Sequence, residues 1–232
     1  MYQFLLMTLA CAFLVGCSTS EKRADHDTPI GNELNYLVKS DIDTVADIHL
    51  QQLDKHLETL AYKLYRRNPR HCHGGTPAID NCVKRVFLSK DADTPDLFAK
   101  KGSELISLGL TNDYKGDRVA AFIYGLRTML QAAYENKNEF FITDELAPQK
   151  LYNSARNIEI AVWRLSNVRD DKGKLLLLSN TIGKDIANLS FERLFGKMVS
   201  LQDTLAIIVA ESTKRHIKNI IQRLATAAFL PI

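Results

Sequence analysis

The chain has 232 residues, 46% of them hydrophobic and 25% charged, with 30 basic against 27 acidic side chains and a formal net charge of +3. That is ample chain for one hydrophobic core or two small ones, and with both signs of charge mixed along the chain nothing globally demands nucleic acid or an acidic partner. Aromatic and β-branched residues are not set in short alternating runs and glycine and proline are sparse, so helices are expected in place of strands; without a period of about 20 to 50 residues, helical-repeat arrays are excluded as well.

Phe4 to Val15 form an apolar run broken only by Thr8 and followed by Gly16 and Cys17. The run suits a signal-peptide core and falls short of the roughly 20 residues that a membrane-spanning helix needs. Leu14-Val15-Gly16-Cys17 resembles the lipobox of bacterial lipoproteins: an apolar residue, a small or apolar one, a small one, then cysteine. The resemblance covers only residues 1–20. It implies that residues 1–16 are a cleaved signal peptide and that Cys17 carries a diacylglyceryl thioether on its sulfur and an acyl group on its new amine. Chains of that kind anchor firmly, because each buried CH₂ contributes about 0.8 kcal/mol. Ser18 resembles the sorting position at which a residue other than aspartate favours the outer membrane. The implied location is therefore the periplasmic face of the outer membrane, with the outer leaflet of the inner membrane as the alternative. Residues 17–33 are polar, with Pro29 and Gly31, and read as a lipidated flexible tether reaching about 20 to 25 Å.

Residues 34–232 are expected to form a single helical domain. Ser40 or Asp41 can cap the first helix, whose face carries Ile42, Val45, His49, Leu53, Leu57, Leu60 and Leu64, and which must end before Asn68-Pro69. Thr94-Pro95 predicts the start of a short helix through Leu108. Asn112 or Asp113 introduces a third, with Val119, Phe122, Ile123, Leu126, Met129, Leu130 and Ala133 inward. A fourth runs from Pro148 to Val168 over Leu151, Ala155, Ile158, Val162 and Leu165, and Asp170 to Gly173 reads as a turn. From Leu175 the pattern is helical again, broken between Ile182 and Ser190. A long final helix, Phe191 to Phe229, is expected, with a kink near Gly196 or Glu211. The fold class is all-α: a bundle of five to seven amphipathic helices with one disulfide-stapled loop.

That loop is HCHGGTPAIDNC, His71 to Cys82. His71, Cys72, His73 and Cys82 are ligand types for tetrahedral zinc, although their spacing departs from the usual pairs two to four residues apart. In the oxidising compartment that the lipobox implies, Cys72 and Cys82 are expected to pair with each other, a closure worth about 2 to 3 kcal/mol in the chain-entropy model. Redox chemistry is disfavoured because no C-x-x-C is present. Lys63, Arg66, Arg67, Arg70, Lys84 and Arg85 surround the loop, and Asp80 is the only acid between residues 63 and 85. They offer a patch for an anionic envelope polymer or an acidic protein; the plainer reading is that cations at a helix C-terminus complement its dipole. Lys214, Arg215, His216, Lys218 and Arg223 decorate the final helix opposite Ile217, Ile220, Ile221 and Leu224, a pattern shared by helices on lipid headgroups and by solvated core helices.

Glu211-Ser212, within VAEST, resembles the Glu-Ser pair of helical lytic transglycosylases, in which the glutamate is acid and base on peptidoglycan. The Gly-Leu-Met-Gln type segment that follows it in that family does not occur in residues 213–232. Nucleophile-elbow, zinc-protease, Walker and Rossmann motifs are absent. Asp91, Asp93 and Asp96 lack the glycine and glutamate of a calcium loop. His49 and His56 share a helix face without forming a two-ligand step. The expectation is thus a protein without a cofactor that acts by binding, as an accessory or scaffold subunit of a cell-envelope assembly. Its expected partners are the membrane through its lipid, an envelope protein and an anionic envelope polymer, with nucleic acid excluded; the alternative is an envelope enzyme using Glu211.

Overall fold

The computed structural model describes residues 39–88, 100–182, 187–218 and 227–232. Outside the described residues lie the lipobox Leu14 to Cys17, Ser18 and the tether, Asp91, Asp93, Thr94, Pro95 and Asp96, and Ile220, Ile221, Arg223 and Leu224. The chain divides into Met1–Leu37 and Val38–Ile232, and every described residue belongs to the second unit.

Six α-helices are described: α1 (Asp41–Arg67), α2 (Ile79–Leu88), α3 (Gly102–Gly109), α4 (Arg118–Ala133), α5 (Pro148–Asn167) and α6 (Ser190–Thr213). Beside them stands one small antiparallel pairing of β1 (Thr181–Ile182) with β2 (Ala187–Asn188), in which Thr181 faces Asn188 and Ile182 faces Ala187. The architecture is the expected all-α bundle. Helix α1 packs against α2, α4 and α6, α3 lies on α4, and α5 pairs with α6.

Ser40 caps α1 as a full capping box: its hydroxyl accepts from the Asp43 N–H while the Asp43 carboxylate accepts from the Ser40 N–H at 2.8 Å. The helix buries Ala46, Leu50, Leu53, Leu57, Leu60, Ala61, Leu64 and Tyr65. Ile42, Val45 and His49, placed on the same face by spacing, are only half-buried. In α4 the seven predicted apolar residues are all buried, and the capping residue is Asp117, whose carboxylate accepts from the Ala120 N–H at 2.9 Å. The helix therefore begins later than Asn112 or Asp113 predicted. Helix α3 begins at Gly102, with Lys101 extended before it, so a continuous helix from Thr94 is not formed. It sits very close to α4: a Cβ on Gly125 would stand 2.7 Å from the Ile106 side chain and 2.9 Å from the Gly102 carbonyl, a contact only glycine permits.

Two larger corrections concern the second half of the chain. Leu175 to Asn180 is not helical. Arg169 and Leu175 bridge in antiparallel fashion around a turn whose Asp170 carboxylate accepts from the Lys172 and Lys174 N–H groups. The buried amide of Asn68, just past α1, then accepts from the Leu178 N–H at 2.8 Å and donates to the Leu178 and Leu64 carbonyls. A side chain from the far end of α1 thus takes the hydrogen bonds that a helix would have used.

The final helix, in turn, does not reach Phe229. It ends at Thr213, with Lys214 left-handed at φ 54° and the Arg215 N–H bonded to the Ala210 carbonyl, a closure usually made with glycine. Ser212 and Thr213 fold their hydroxyls back onto the Val209 carbonyl, and Gly196 does not interrupt the helix. A buried polar chain locks the inner helices. The Tyr134 hydroxyl donates to Gln202 Oε1 at 2.8 Å, the Gln202 amide donates to Ser154, and Ser154 donates to the Leu151 carbonyl.

Candidate functional site

Cys72 and Cys82 are bonded to each other, with their Cα atoms 5.8 Å apart. Both sulfurs that a zinc site at His71 and His73 would have used are therefore engaged, and among the described residues no group of three or more His, Cys, Asp or Glu is placed to hold a metal ion. His71 is half-buried and accepts from Arg70 Nε at 3.4 Å. Burial, followed by the charges of Arg70 and Arg118, pushes its pKa down to about 4. His73 is exposed.

The six cations around the loop are distributed over two sides of α1. Lys63 turns toward α6, donating to the Ser190 hydroxyl and lying 4.9 Å from the Phe191 ring centre; burial and Arg193 lower its pKa. Arg66 lies 5.8 Å from the Tyr62 ring, and Arg67 is exposed. Arg70 donates to the Leu176 carbonyl at 3.2 Å. Lys84 borders a shallow groove with Glu58, Tyr62 and Asp80 on the α2 side, and Arg85 points a guanidinium at the Cys82 sulfur, 3.7 Å away.

Glu211 is exposed on the last turn of α6. The nearby hollow between the start of α1 and the end of α6 is lined by Ser40, Asp43, Asp144, Val209, Ser212 and Arg215, among others, but not by Glu211. Of the basic run beyond it, the described residues Lys214 to Lys218 do not sit on a helix face: Arg215 pairs with Glu145 at 2.8 Å, and both the N–H and the carbonyl of Lys218 are bonded to the Gln149 amide.

Among the described residues, a groove runs along the seam between α5 and α6. Arg156 meets Asp203, while Trp163 and Asn167 share a groove with Gly196 and Glu192, so the two helices run antiparallel. The groove encloses about 470 Å³ and is lined by Glu159, Val162, Trp163, Ser166 and Asn167 from α5 and Glu192, Phe195, Gly196 and Val199 from α6. These positions recur at three- and four-residue steps, which places them on one outer face of each helix. Trp163 is the only tryptophan of the chain and is half-buried. A Cβ added to Gly196 would meet nothing within 4 Å. This glycine costs the helix about 1 kcal/mol relative to alanine and, among the described residues, serves no close contact.

The ends of the groove are acidic. Arg156 is bonded to Asp203 at 2.7 Å and Glu159 at 3.2 Å, so two carboxylates share one guanidinium, and Arg156 Nε and Asp203 Oδ1 are buried with no hydrogen-bond partner among the described residues. Burial raises the Glu159 pKa, against the pull of Arg156. Glu192 accepts from the Asn180 amide at 2.8 Å. The lining holds two carboxylates, the Ser166 hydroxyl and no cation, cysteine or histidine, so the site offers an apolar shelf with carboxylate ends. Its sequence signal was a tryptophan and a glycine on the outer faces of two helices, which spacing within either helix alone does not bring together. Comparison with protein-family models, with curated proteins and with solved structures found no match to this chain.

Proposed function

We propose that this protein is a lipid-anchored, periplasm-facing helical lipoprotein that acts by binding, as an accessory or scaffold subunit of a cell-envelope assembly, and that the α5–α6 groove holds its partner. The observation that carries the binding role is the groove itself, with Trp163 on one wall and space left open at Gly196 on the other. Its chemistry selects a protein segment that places an apolar side chain beside Trp163 and a lysine or arginine toward Glu159 or Glu192, since a cation is attracted by both the carboxylate and the indole face. The envelope location is supported by Leu14-Val15-Gly16-Cys17 and Ser18, and the Cys72–Cys82 bond fits an oxidising compartment. Among the described residues no helix is long and apolar enough to cross a membrane, and in this reading the Cys17 lipid supplies the attachment.

The test is crosslinking in intact cells with a photoreactive amino acid at Val199, alongside fatty-acid labelling. One envelope protein should be captured, and Gly196→Phe, which fills the groove, should abolish its capture; equal capture by the filled variant would refute the groove as the docking surface. Cys17→Ser should lose the fatty-acid label, and retention of label would refute the lipid anchor.

A further inference from the structure

On a neighbouring face of α5, three carboxamides stand one helical turn apart. At 100° per residue, Gln149, Asn153 and Asn157 line one stripe, and Arg164 continues it two turns further on. All four are bonded to main chain from a distant part of the sequence. Asn157 accepts from the Leu230 N–H at 2.6 Å and donates to the Leu230 carbonyl at 2.9 Å. Asn153 donates to the Pro231 carbonyl at 2.9 Å, and Arg164 donates to the Ala227 carbonyl at 3.3 Å while lying 4.5 Å from the Phe229 ring centre. Gln149 grips the Lys218 N–H at 2.8 Å and its carbonyl at 3.3 Å, and also donates to Asn153 at 2.8 Å.

A carboxamide carries a donor and an acceptor side by side, the same pair that a neighbouring β-strand presents to an extended peptide. Asn157 meets Leu230 in that two-bond manner. Asparagine is a poor helix former, yet Asn153 and Asn157 occupy the interior of α5 with only 6% and 0% of their surfaces exposed. Without the bound segment Asn157 would lose both bonds to Leu230, and Asn153 would lose its acceptor at Pro231 while keeping Gln149. The contacts to Ala227, Leu230 and Pro231 are all to backbone, so they fix the path of a peptide; among its side chains Phe229 stacks on Arg164, and Phe229 and Ile232 pack against the hydrophobic core.

We propose that this ladder is a binding site for an extended, uncharged peptide bearing an aromatic residue, and that Ala227–Ile232 is its resident occupant, exchangeable for such a segment from another polypeptide. The resident segment is tethered, and so competes at a high effective concentration. A free peptide therefore binds well only when the resident grip is weakened.

The full-length chain with Phe229→Ala is titrated with a fluorescent peptide of the sequence Ala-Ala-Phe-Leu-Pro-Ile, followed by anisotropy. Saturable binding is expected, at least tenfold tighter than to wild type. Adding Asn157→Ala to the same chain should weaken it at least tenfold, as should N-methylation of the peptide leucine, which removes the N–H that Asn157 accepts. Absence of binding to the Phe229→Ala chain, or binding indifferent to Asn157 and to N-methylation, overturns the proposal. Hydrogen exchange on the wild-type chain tests it without any substitution. The Leu230 amide should exchange at least a hundredfold faster than that of Ile158, through release of the segment alone; exchange of both only by global unfolding would make the segment an inseparable part of the core and overturn the proposal.

Discussion

Asn68 has more structural consequence than its place in the sequence suggests. It follows α1, is 3% exposed, and makes three hydrogen bonds that hold Leu178 and the end of α1 together. Asn68→Ala leaves the Leu178 N–H without its acceptor, and an unsatisfied buried group costs about 1–3 kcal/mol. Urea unfolding should show a midpoint lowered by about 2 kcal/mol of stability, and an unchanged midpoint would mean that Leu178 is held by something else. His71 gives a residue-level pH dependence. Its proton is taken up near pH 6.5 when unfolded, but only near 4 when folded, because it is buried beside Arg70 and Arg118. Between those values the unfolded chain binds more protons, so this contribution is complete above about pH 6.5 and declines as pH falls toward about 4. Asp117, raised by burial, has the opposite slope. Wild type and His71→Gln are therefore compared at each pH, and the gap between their stabilities should change in favour of the variant on acidification; a constant gap would show that His71 does not titrate in this way.

At the scale of elements, two glycines of similar appearance in sequence have opposite roles. Gly125 permits α3 to touch α4, whereas Gly196 stands in open space on α6. Gly196→Ala should therefore stabilise the protein by about 0.5–1 kcal/mol, because alanine restricts the unfolded chain and clashes with nothing, while the same substitution at Gly125 destabilises. Thermal melts of both variants check this pair of opposite signs. The end of α6 shows why helix boundaries were less legible than helix existence. Lys214 to Lys218 keeps a helical pattern of charge and Ile217, and the stop comes from a left-handed lysine, from Ser212 and Thr213 bonding backward, and from Gln149 and Glu145 holding the chain that follows. Gln149 and Glu145 lie elsewhere in the fold, while Lys214, Ser212 and Thr213 act locally but carry no glycine or proline that would have announced the stop.

For the whole molecule, the Cys72–Cys82 bond joins the segment after α1 to α2 and closes a short loop within a bundle that already has a continuous core. Replacing both cysteines by serine should lower stability by about 2 to 3 kcal/mol, the entropy of closing such a loop in the unfolded chain, without loss of the helical circular dichroism signal. Unfolding at room temperature on mild reduction would instead make the bond a condition of folding. The sequence by itself determined the helical class, the start of α1 to within Ser40 or Asp41, the inner face of α4 and the span of α5, because 3.6-residue periodicity and capping chemistry are local. It also brought Cys72 and Cys82 together, since their separation is short and their chemistry is directional. Only the tertiary structure decided that Leu175 to Asn180 would be drawn out by Asn68, that the basic residues around the loop would separate to two sides of α1, and that Trp163 and Gly196 would share a groove. The reason is common to all three. In each case the deciding partner lies tens of residues away, and a side chain's hydrogen bonds, charge or empty space take effect only once packing has placed that partner beside it.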